Sequence, residues 1–440
     1  MHILFLTHYF PPEVNAPASR TFENACRWVR EGHEVTVITC APNHPDGVLY
    51  PGYRNRIRQW EEVAGIRVLR VITYLSANAG FLKRTLNYLS YMVSATLLSC
   101  LVRKVDIVIS TSPQFFCGMA GLWTASLKRR PWILEIRDLW PESIIAVGAI
   151  RNRPIISALE SIETLLYRRA DHIVSVTESF KEHIAARGIA PERISVLTNG
   201  ADLSQYQPLG RENGIRSELD LEGKFIASYI GTHGMAHGLD TVLKAADLLR
   251  EEKNIIFLLV GGGAERERLL AKREEMGLEN VLMLPQQPKE RMPHVLAASD
   301  ACLVLLKKRD LFKTVIPSKI FEAMAMERPI ILGVEGESKG IIEEGNCGRC
   351  IEPENERDLA ESVLQLSRDP GAGKQMGLNG GRFVRERFDR DVLARRYLAV
   401  IAAAAGPMAL PVVERHFRTP RDASCSPPPA HFSDVTARDK

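Results

Sequence analysis

Short runs of β-branched and aliphatic residues alternate with helical patterns along nearly the whole chain. The run at 2–7 is followed by a helical pattern at 19–31 and by a second apolar run at 34–40. Further apolar runs continue the series at 66–72, 106–110, 132–136, 171–176 and 194–197. Runs that are nearly continuous in Val, Ile and Leu are typical of strands covered on both faces. The alternation therefore predicts an α/β protein with parallel sheets.

The alternation is interrupted once, near the middle of the chain. After Asp202 the sequence is polar and weakly patterned up to Gly223, and a second series of apolar runs and helical patterns begins at Phe225. Two α/β domains that face each other enclose a cleft, which is the usual place for a small-molecule site. The predicted organisation is an N-terminal domain at 1–203, a linker at 204–223, a C-terminal domain at 224–380, a C-terminal helix at 381–405 that packs back on the N-terminal domain, and a disordered tail at 419–440.

Composition excludes several classes of protein. Hydrophobic residues make up 45% of the 440 residues and charged residues 25%, which excludes a disordered or fibrous chain and is enough to build large cores. The net charge is only +4, so composition gives no argument for nucleic-acid binding. The eight cysteines are scattered and do not resemble the framework of a small disulfide-rich protein. We therefore expect a reduced, cytoplasmic protein.

One uncharged segment raises the question of membrane contact. Residues 85–102 carry no charge and are bracketed by Lys83-Arg84 and Arg103-Lys104. Five aliphatic side chains recur in it at helical spacing: Leu86, Leu89, Val93, Leu97 and Leu101. The pattern favours a helix that buries this stripe against a sheet, and it also fits an interfacial helix rather than a transmembrane span. The second interpretation predicts that 81–104 contacts a membrane surface peripherally.

Two glycine-containing turns are prominent in the second series. Gly231 follows a predicted strand and opens a turn that ends at Gly238, and Gly261-Gly262-Gly263 follows the next strand. Glycines at such turns let the backbone approach a ligand, and a helix N-terminus offers N–H groups to an anion. Neither turn contains the Lys-Ser/Thr pair of a P-loop or the G-x-G-x-x-G fingerprint, which argues against an ATPase and against a dinucleotide site.

The most informative segment is 316–331. Ser318 is a predicted N-cap, and Lys319 and Glu322 follow it three residues apart, so both lie on one face of a helix. A lysine and free N–H groups suit a diphosphate, and a carboxylate suits paired ribose hydroxyls. The same spacing is also typical of an ordinary surface ion pair, so it does not decide between the two by itself.

In their order along the chain, these motifs resemble the family 4 glycosyltransferases. Their GT-B fold has two Rossmann-like domains that face each other across a cleft. The matching segments are the turn at Gly231, Gly261-Gly262-Gly263, Ala298-Ser299-Asp300, 319–325 with 328–331, and Asn199-Gly200-Ala201-Asp202. Within the family, 8–13, 137–143 and 317–319 resemble the branch that contains fucosamine transferases of O-antigen and capsule assembly.

The resemblance implies a nucleotide-sugar site in the C-terminal domain. Its implied residues are Gly231, Thr232, His237, Gly261, Gly262, Lys319 and Glu322. Glu322 corresponds to the glutamate that binds the ribose, whereas Thr314 stands where the family usually has a second glutamate. Thr232 and His237 stand where an Arg and a Lys usually hold the diphosphate. These departures imply that Lys319 and helix N-termini supply more of the compensating charge, with Arg309 or Lys313.

The resemblance also implies a mechanism that retains anomeric configuration and needs no metal or other cofactor. Many members have a His where this chain has Arg137, which is always protonated and cannot act as a base. Asp138 or Glu142 remains to accept a hydrogen bond from the acceptor hydroxyl. We therefore assign Arg137, Asp138 and Glu142 as catalytic candidates. A structural ion pair between Asp138 and Arg137 is the alternative.

The resemblance also implies that the loop and helix after the first strand bind the acceptor, through His8, Glu13, Asn15 and Arg20. The predicted activity is transfer of an N-acetyl-deoxyhexosamine from a UDP-sugar to a saccharide linked to a polyprenyl diphosphate, in surface polysaccharide assembly. The alternatives are a GT-B-fold UDP-sugar epimerase, which needs no acceptor, and a non-catalytic sugar-nucleotide-binding subunit of a transferase complex. The absence of a glutamate at position 314 keeps the last alternative open.

Overall fold

Two α/β units make up the described part of the chain, each built around its own sheet. The computed structural model describes residues 1–406 apart from 14, 45–46, 77–80, 113–114, 143–144 and 146–151. The first unit contains Met1–Leu197 and the chain from Ala394 onward, and the second contains Thr198–Leu393. The predicted tail at 419–440 lies outside the described residues. The α/β architecture predicted from the alternating pattern is confirmed.

The first unit contains an eight-stranded sheet. Its strands are β1 (His2–Leu6), β2 (Glu34–Cys40), β3 (Arg58–Val63), β4 (Ile66–Val71), β5 (Ile107–Thr111), β6 (Trp132–Ile136), β7 (His172–Ser175) and β8 (Ile194–Val196). They lie in the order β3-β4-β2-β1-β5-β6-β7-β8 and are parallel, except that β3 pairs antiparallel with β4 at the edge. Every residue of β1, β5 and β6 is buried, which explains why these strands are predominantly apolar.

Helices cover both faces of this sheet. Their bounds are α1 (Ala16–Arg30), α2 (Phe81–Leu98), α3 (Phe115–Lys128), α4 (Arg153–Arg169) and α5 (Glu178–Ala186). Apolar residues of α2, α3 and α4 pack into one core, whereas α1 packs into another. Tyr397, near the C-terminal end of the described chain, belongs to the same core as α1. Its ring meets Trp28 edge to face, with the centroids 5.1 Å apart.

The second unit has six parallel strands. They are β9 (Phe225–Ile230), β10 (Ile255–Val260), β11 (Val281–Leu284), β12 (Ala301–Leu305), β13 (Ile330–Gly333) and β14 (Gly348–Cys350), in the order β11-β10-β9-β12-β13-β14. Its helices are α6 (Gly214–Glu218), α7 (Asp240–Leu248), α8 (Arg266–Glu275), α9 (Met292–Ala298), α10 (Lys319–Ala325), α11 (Glu337–Gly345), α12 (Glu356–Arg368) and α13 (Pro370–Arg387), and α14 (Arg390–Ala405) runs into the first unit.

The strand order identifies where a ligand can bind in each unit. The chain proceeds outward from β9 in one direction through β10 and in the other through β12, so the order reverses between β9 and β12. In the first unit the same reversal lies between β1 and β5. Open α/β sheets bind ligands outside the carboxyl ends of the strands at such a reversal. Ligands are therefore expected at the loops after β1, β9 and β12.

The segment interpreted from sequence as a linker is packed structure instead. It contains α6, and the Arg216 side chain is completely buried. The Arg216 guanidinium lies 2.6 Å from Asp300 Oδ2 and donates a 3.0 Å hydrogen bond to the Ala298 carbonyl. Asp300 Oδ2 also accepts the Ile226 N–H at 2.7 Å. A buried charge needs a paired partner, so Arg216 and Asp300 together fasten this segment to β9.

Helix α2 presents the opposite face from the one that the aliphatic stripe predicts. Leu86, Val93 and Leu97 are 45%, 48% and 65% exposed. The side chains that α2 buries against the sheet are instead Tyr88, Tyr91, Met92 and Ala95. The Tyr91 hydroxyl donates a 2.8 Å hydrogen bond to the Ile38 carbonyl, which satisfies its polar end in the core. The prediction that the stripe is buried is therefore wrong for Leu86, Val93 and Leu97, whereas Leu89 packs, partly buried, against the core. Among the described helices, none is both long and apolar enough to cross a membrane.

Candidate active site

Two glycine turns meet backbone to backbone at the carboxyl ends of β9 and β10. The Gly231 N–H donates a 2.9 Å hydrogen bond to the Val260 carbonyl, and Gly262 accepts one from His233 at 2.8 Å. Gly231 and Gly261 have φ angles of +139° and +152°, which L side chains rarely adopt. A Cβ on Gly261 would lie only 1.9 Å from the Gly231 carbonyl oxygen. The contact of the two turns therefore requires glycine, and it brings the predicted residues Gly231, Gly261 and Gly262 together.

Lys319 extends from α10 to the same place. A Cβ on Gly231 would lie 2.8 Å from the Lys319 Nζ, so the ammonium group in its present position lies directly against the glycine. The Nζ lies 4.0 Å from the centre of the Tyr229 ring and has no hydrogen-bond partner among the described residues. Burial lowers the pKa of Lys319 to about 8, although Glu322 and Cys302 oppose this effect. The second unit thus holds a buried cation against its glycine turns.

The other three predicted nucleotide-side residues lie in the same region. Glu322 follows Lys319 by one turn of α10, is half-buried, and is close enough to act on the pKa of Lys319. Thr232 is exposed, and its carbonyl accepts a 2.8 Å hydrogen bond from the Tyr229 hydroxyl. The His237 ring lies 5.8 Å from the Tyr229 ring, and burial together with Lys319 lowers its pKa. Tyr229 is thus a common neighbour of Thr232, His237 and Lys319.

His233 is a residue of this region that the sequence interpretation missed. Its side chain is completely buried between the two glycine turns, and a Cβ on Gly263 would lie 2.6 Å from its carbonyl oxygen. Within the part of the chain that is described, neither ring nitrogen has a hydrogen-bond partner. Burial, reinforced by the positive charges of Arg266 and Lys319, lowers the pKa of His233 to about 4. The ring is therefore neutral at pH 7. The only sequence signal was its position between Gly231 and Gly234.

The charge distribution of this region favours an anion. Lys319, His237 and Arg266 all act to lower the pKa of His233, so the basic groups repel one another's charged forms. A diphosphate would reverse this repulsion and favour the protonated forms. Lys313, which the sequence offered as a further cation, already pairs with Asp310 at 2.8 Å and lies 3.7 Å from Glu335. At the position of the missing glutamate, the Thr314 hydroxyl donates to the Leu311 carbonyl at 2.9 Å and stabilises a local turn.

In the first unit, Arg137 follows the carboxyl end of β6. Its N–H donates a 2.7 Å hydrogen bond to Ser112 Oγ, just beyond β5. Burial lowers the pKa of Arg137 to about 10, opposed by Glu135 and reinforced by Arg20. Glu135 is fully buried and accepts a 3.0 Å hydrogen bond from Arg20 Nε. The carboxylate that compensates Arg137 is thus Glu135, and the guanidinium remains charged at every physiological pH.

Asp138 and Glu142 have different surroundings. Asp138 lines a small cavity of about 20 Å³, room for about one water-sized group, with Trp140, Glu163, Tyr167 and the apolar residues Phe115, Leu134, Ile136 and Leu166. Glu142 is exposed, and its Oε2 lies 3.5 Å from the Nδ1 of His183. A carboxylate beside a cavity is placed to accept a hydrogen bond from a bound hydroxyl, whereas an exposed carboxylate is strongly solvated. The geometry therefore supports Asp138 more than Glu142 as the acceptor-side carboxylate.

His8 lies in the loop after β1, enclosed by aromatic rings. Tyr9, Tyr88 and Tyr91 meet its ring edge to face, with centroids 4.9, 5.3 and 5.1 Å away. Its Nδ1 is buried and, within the described chain, has no hydrogen-bond partner. Burial, reinforced by His44, lowers the pKa of His8 to about 3. The ring is neutral at pH 7 and can serve as a hydrogen-bonding group but not as a cation.

The other three acceptor-side candidates make structural contacts. Glu13 is buried, and its Oε1 accepts hydrogen bonds from the backbone N–H groups of Asn43 and His44, both at 3.0 Å. Burial raises the pKa of Glu13 to about 7, although these hydrogen bonds and Arg70 oppose the rise. Asn15 caps α1 by accepting from the Ala18 N–H at 2.9 Å. Arg20 binds Glu135 and donates to the Leu197 carbonyl at 2.8 Å. These structural contacts explain the positions of all three residues, and none of the contacts involves an acceptor substrate.

Over the described residues, no group of three or more His, Cys, Asp or Glu side chains is placed to hold a metal ion.

Comparison with family models and known proteins agrees with this geometry. Residues 15–200 match the model of the glycosyl transferase 4-like domain, and residues 211–382 match the model of glycosyl transferases group 1. The WcaI protein of Escherichia coli K12, a glycosyl transferase assigned to colanic acid biosynthesis, is 27% identical over 376 residues, which cover 83% of this chain and 92% of WcaI. WbjE of Pseudomonas aeruginosa, named as a glycosyltransferase, is 25% identical over 61% of this chain and 68% of its own.

Solved structures of the same fold cover almost the entire chain. HepE from Anabaena, determined in complex with UDP, superposes with a TM-score of 0.67 at 15% identity over 92% of this chain and 100% of its own. Sucrose-phosphate synthase from Thermosynechococcus elongatus superposes with a TM-score of 0.69 at 16% identity, over 91% of this chain and 99% of its own. At these identities the likeness shows the GT-B fold. Together with the two matched domain models, it shows that the chain belongs to the family 4 glycosyltransferases and acts on nucleotide sugars.

Proposed function

We propose that this protein transfers a sugar from a UDP-sugar to a lipid-linked saccharide, with retention of anomeric configuration and without a metal ion. The observation that carries the donor side of the proposal is the buried ammonium of Lys319 against the glycine turns. It lies at the strand-order reversal of the second unit, has no hydrogen-bond partner among the described residues, and has a pKa of about 8. A diphosphate supplies the anion that this arrangement lacks.

Glu322 completes the proposed donor site. It lies one turn beyond Lys319 on α10, so a nucleotide whose diphosphate meets Lys319 places its ribose along the same helix face. A carboxylate accepts hydrogen bonds from both ribose hydroxyls and is repelled by phosphate, which orients the nucleotide. The relative HepE has been determined with UDP and with UDP-glucose, which supports a uridine nucleotide here.

The proposed chemistry depends on positioning and on charge stabilisation. When the bond from the sugar to the diphosphate breaks, negative charge develops on the diphosphate, and Lys319 with the N–H groups of the glycine turns would stabilise it. The acceptor hydroxyl, held by a hydrogen bond to Asp138, would approach from the face that the leaving group vacates, and its proton would pass to the departing diphosphate oxygen as the new glycosidic bond forms. Arg137 remains protonated and contributes positive charge rather than a base. No step in this scheme requires a Lewis acid.

The acceptor side of the proposal draws on the relatives. WcaI is assigned to colanic acid biosynthesis, and the structurally similar WaaG is involved in lipopolysaccharide biosynthesis. The alpha-galactosylglucosyldiacylglycerol synthase of Streptococcus pneumoniae is 25% identical over 52% of this chain. These names support a saccharide acceptor carried by a lipid, such as a polyprenyl diphosphate, and a place of action at the inner face of the plasma membrane. The proposed donor sugar is an N-acetyl-deoxyhexosamine.

The direct test offers the purified chain a panel of UDP-sugars with and without polyprenyl-diphosphate-linked saccharides, followed by mass spectrometry. The proposal predicts a product one sugar heavier than the acceptor, with the α- or β-configuration of the donor retained. Asp138→Asn should slow this turnover at least tenfold while leaving UDP binding unchanged. A UDP-sugar converted to its epimer without acceptor would identify an epimerase, and UDP-sugar binding without any turnover would identify a non-catalytic subunit.

A further inference from the structure

Two neighbouring helices of the first unit expose large apolar side chains. Leu97 on α2 and Leu127 on α3 are 65% and 69% exposed, and both lie near the C-terminal ends of their helices. Val93 and Trp123, one turn earlier on each helix, are 48% and 41% exposed. The two helices pack against each other on the same side of the sheet. We call Val93, Leu97, Trp123 and Leu127 the apolar pair of stripes.

Basic residues gather where these two helices end. Arg103, Lys104, Lys128 and Arg130 line one recess together with Cys100, and we call these four residues the basic recess. Lys128 has a structural role as well, because its Nζ donates a 2.6 Å hydrogen bond to the Val102 carbonyl. Arg103, Lys104 and Arg130 are exposed. The recess begins within one turn of Leu97 and Leu127, so exposed apolar and basic side chains are adjacent.

The charge of this part of the chain is strongly one-sided. Between Phe81 and Leu134 the sequence contains seven Lys and Arg residues and one acidic residue, Asp106. Asp106 is occupied inside the unit, where its Oδ2 accepts a 2.7 Å hydrogen bond from the His2 N–H. This segment therefore carries a net charge of +6, whereas the whole protein carries only +4, so the rest of the chain is net negative. A surface of this kind attracts an anionic partner.

We propose that the apolar pair of stripes and the basic recess form one docking face for a bilayer that contains anionic phospholipid. Apolar side chains on adjacent helices can enter the boundary between headgroups and acyl chains, while the arginines and lysines at the helix ends meet the phosphates. The inference rests on the proposed function, since an acceptor carried by a lipid brings the enzyme to a membrane. It adds which residues make the contact, including α3, which the sequence pattern had not implicated.

Vesicle sedimentation of the full chain tests the docking face. Wild type should sediment with vesicles of equal parts phosphatidylcholine and phosphatidylglycerol, less with phosphatidylcholine alone, and less at high salt because screening weakens the attraction. The double variant Arg103→Gln/Arg130→Gln should bind the anionic vesicles roughly 30-fold more weakly. Leu97→Ser/Leu127→Ser should lose about tenfold for each side chain that enters the bilayer.

A matched control lies in the same unit, away from this face. Arg56 is exposed and Ile57 is 67% exposed, so Arg56→Gln/Ile57→Ser removes one charge and one exposed aliphatic side chain elsewhere. This variant should bind vesicles as wild type does. The proposal is overturned if wild type does not sediment with anionic vesicles at low salt, if either docking-face variant binds as tightly as wild type, or if the control loses as much as they do.

The outcome is separable from that of the proposed function. UDP binding and transfer to an acceptor dissolved in detergent do not require a bilayer, so the docking-face variants should keep both. If transfer persists but neither the wild type nor any variant binds vesicles, the docking face is rejected and the glycosyltransferase function stands. If vesicle binding changes in the variants as expected but the protein shows no transfer, the docking face stands and the proposed function is rejected.

Discussion

Replacing Lys319 by Met removes a buried cation and keeps an unbranched side chain of similar length. Burial lowers the pKa of Lys319 from 10.5 to about 8, so the folded protein holds the charged form against a penalty at pH 7. Each tenfold change in proton affinity corresponds to about 1.4 kcal/mol, which makes the penalty on the order of 3 kcal/mol. The contact of the ammonium with the Tyr229 ring, at 4.0 Å, offsets about 1–2 kcal/mol of it. We therefore expect Lys319→Met to raise the free energy of unfolding by about 1–2 kcal/mol.

The pH dependence of this gain has a definite sign. Below pH 8 the lysine is protonated in both the folded and the unfolded protein, so the penalty is constant. Between pH 8 and 10.5 the folded protein has released the proton and the unfolded protein has not, so wild-type stability rises with pH. The advantage of the Met variant should therefore disappear as the pH approaches 10.5.

The same substitution should weaken the binding of UDP. A hydrogen bond between an ammonium and a phosphate contributes roughly 1.5–3 kcal/mol, so the dissociation constant should rise between about 10-fold and 150-fold. Because only the protonated lysine attracts the diphosphate, UDP affinity of the wild type should also fall as the pH rises above 8. The Met variant should lack this decline.

Guanidinium unfolding and isothermal titration with UDP measure the two effects. Lys308→Met is the matched control, because Lys308 is 52% exposed and pairs with Glu352 at 2.6 Å on the surface of the same unit. Its stability and its UDP affinity should both match those of the wild type, because exposed ion pairs contribute little. A Lys319→Met protein that is less stable than wild type, or that binds UDP equally well, would refute the assignment of Lys319 as a strained, anion-binding cation.

Three further predictions concern other groups. Glu322→Gln should raise the UDP dissociation constant by about one to two decades if Glu322 accepts from the ribose hydroxyls, and an unchanged constant in titration calorimetry would reject that role. Glu13, whose pKa is raised to about 7 by burial, should make the wild type lose on the order of 3 kcal/mol of stability as the pH rises from 4.5 through 7, because the unfolded chain releases its proton first. Glu13→Gln should flatten that part of the melting temperature against pH, and a curve identical to wild type would contradict it. Turnover should persist in EDTA, whereas loss of activity that Mg²⁺ or Mn²⁺ restores would contradict the metal-independent mechanism.

The fold was predictable from the strands because their environment leaves little choice. A strand such as β1 is covered on both faces, so most of its residues are apolar, and the run at 3–6 is visible in the sequence without knowing its neighbours. The segment at 204–223 was harder to interpret. Arg211 and Arg216 anchor it by pairing with Asp300, which is far away in the chain, and a long-range ion pair leaves no local pattern.

The candidate site likewise contains residues that the sequence indicated and one that it did not. Gly231 and Gly261 stood out because glycine is favoured at a tight strand–helix turn, and Lys319 stood out through the family resemblance; the structure brings Lys319 to Gly231. His233 did not stand out, since one histidine in a turn has no periodicity. Its significance comes from complete burial and from two ring nitrogens that lack partners in the described chain.

The sequence by itself determined the two α/β units and the motifs that mark their loops, because two-sided burial and tight turns restrict residue type locally. Only the tertiary structure decided which face of α2 meets the sheet. Helical spacing reveals that an aliphatic stripe exists, but the tyrosines on the other face also pack well and satisfy their hydroxyls in the core. Tertiary packing therefore buries Tyr91 and leaves Leu97 exposed. The burial that lowers the pKa of Lys319 likewise arises from Tyr229 and Gly231, residues that lie beside it only in the folded protein.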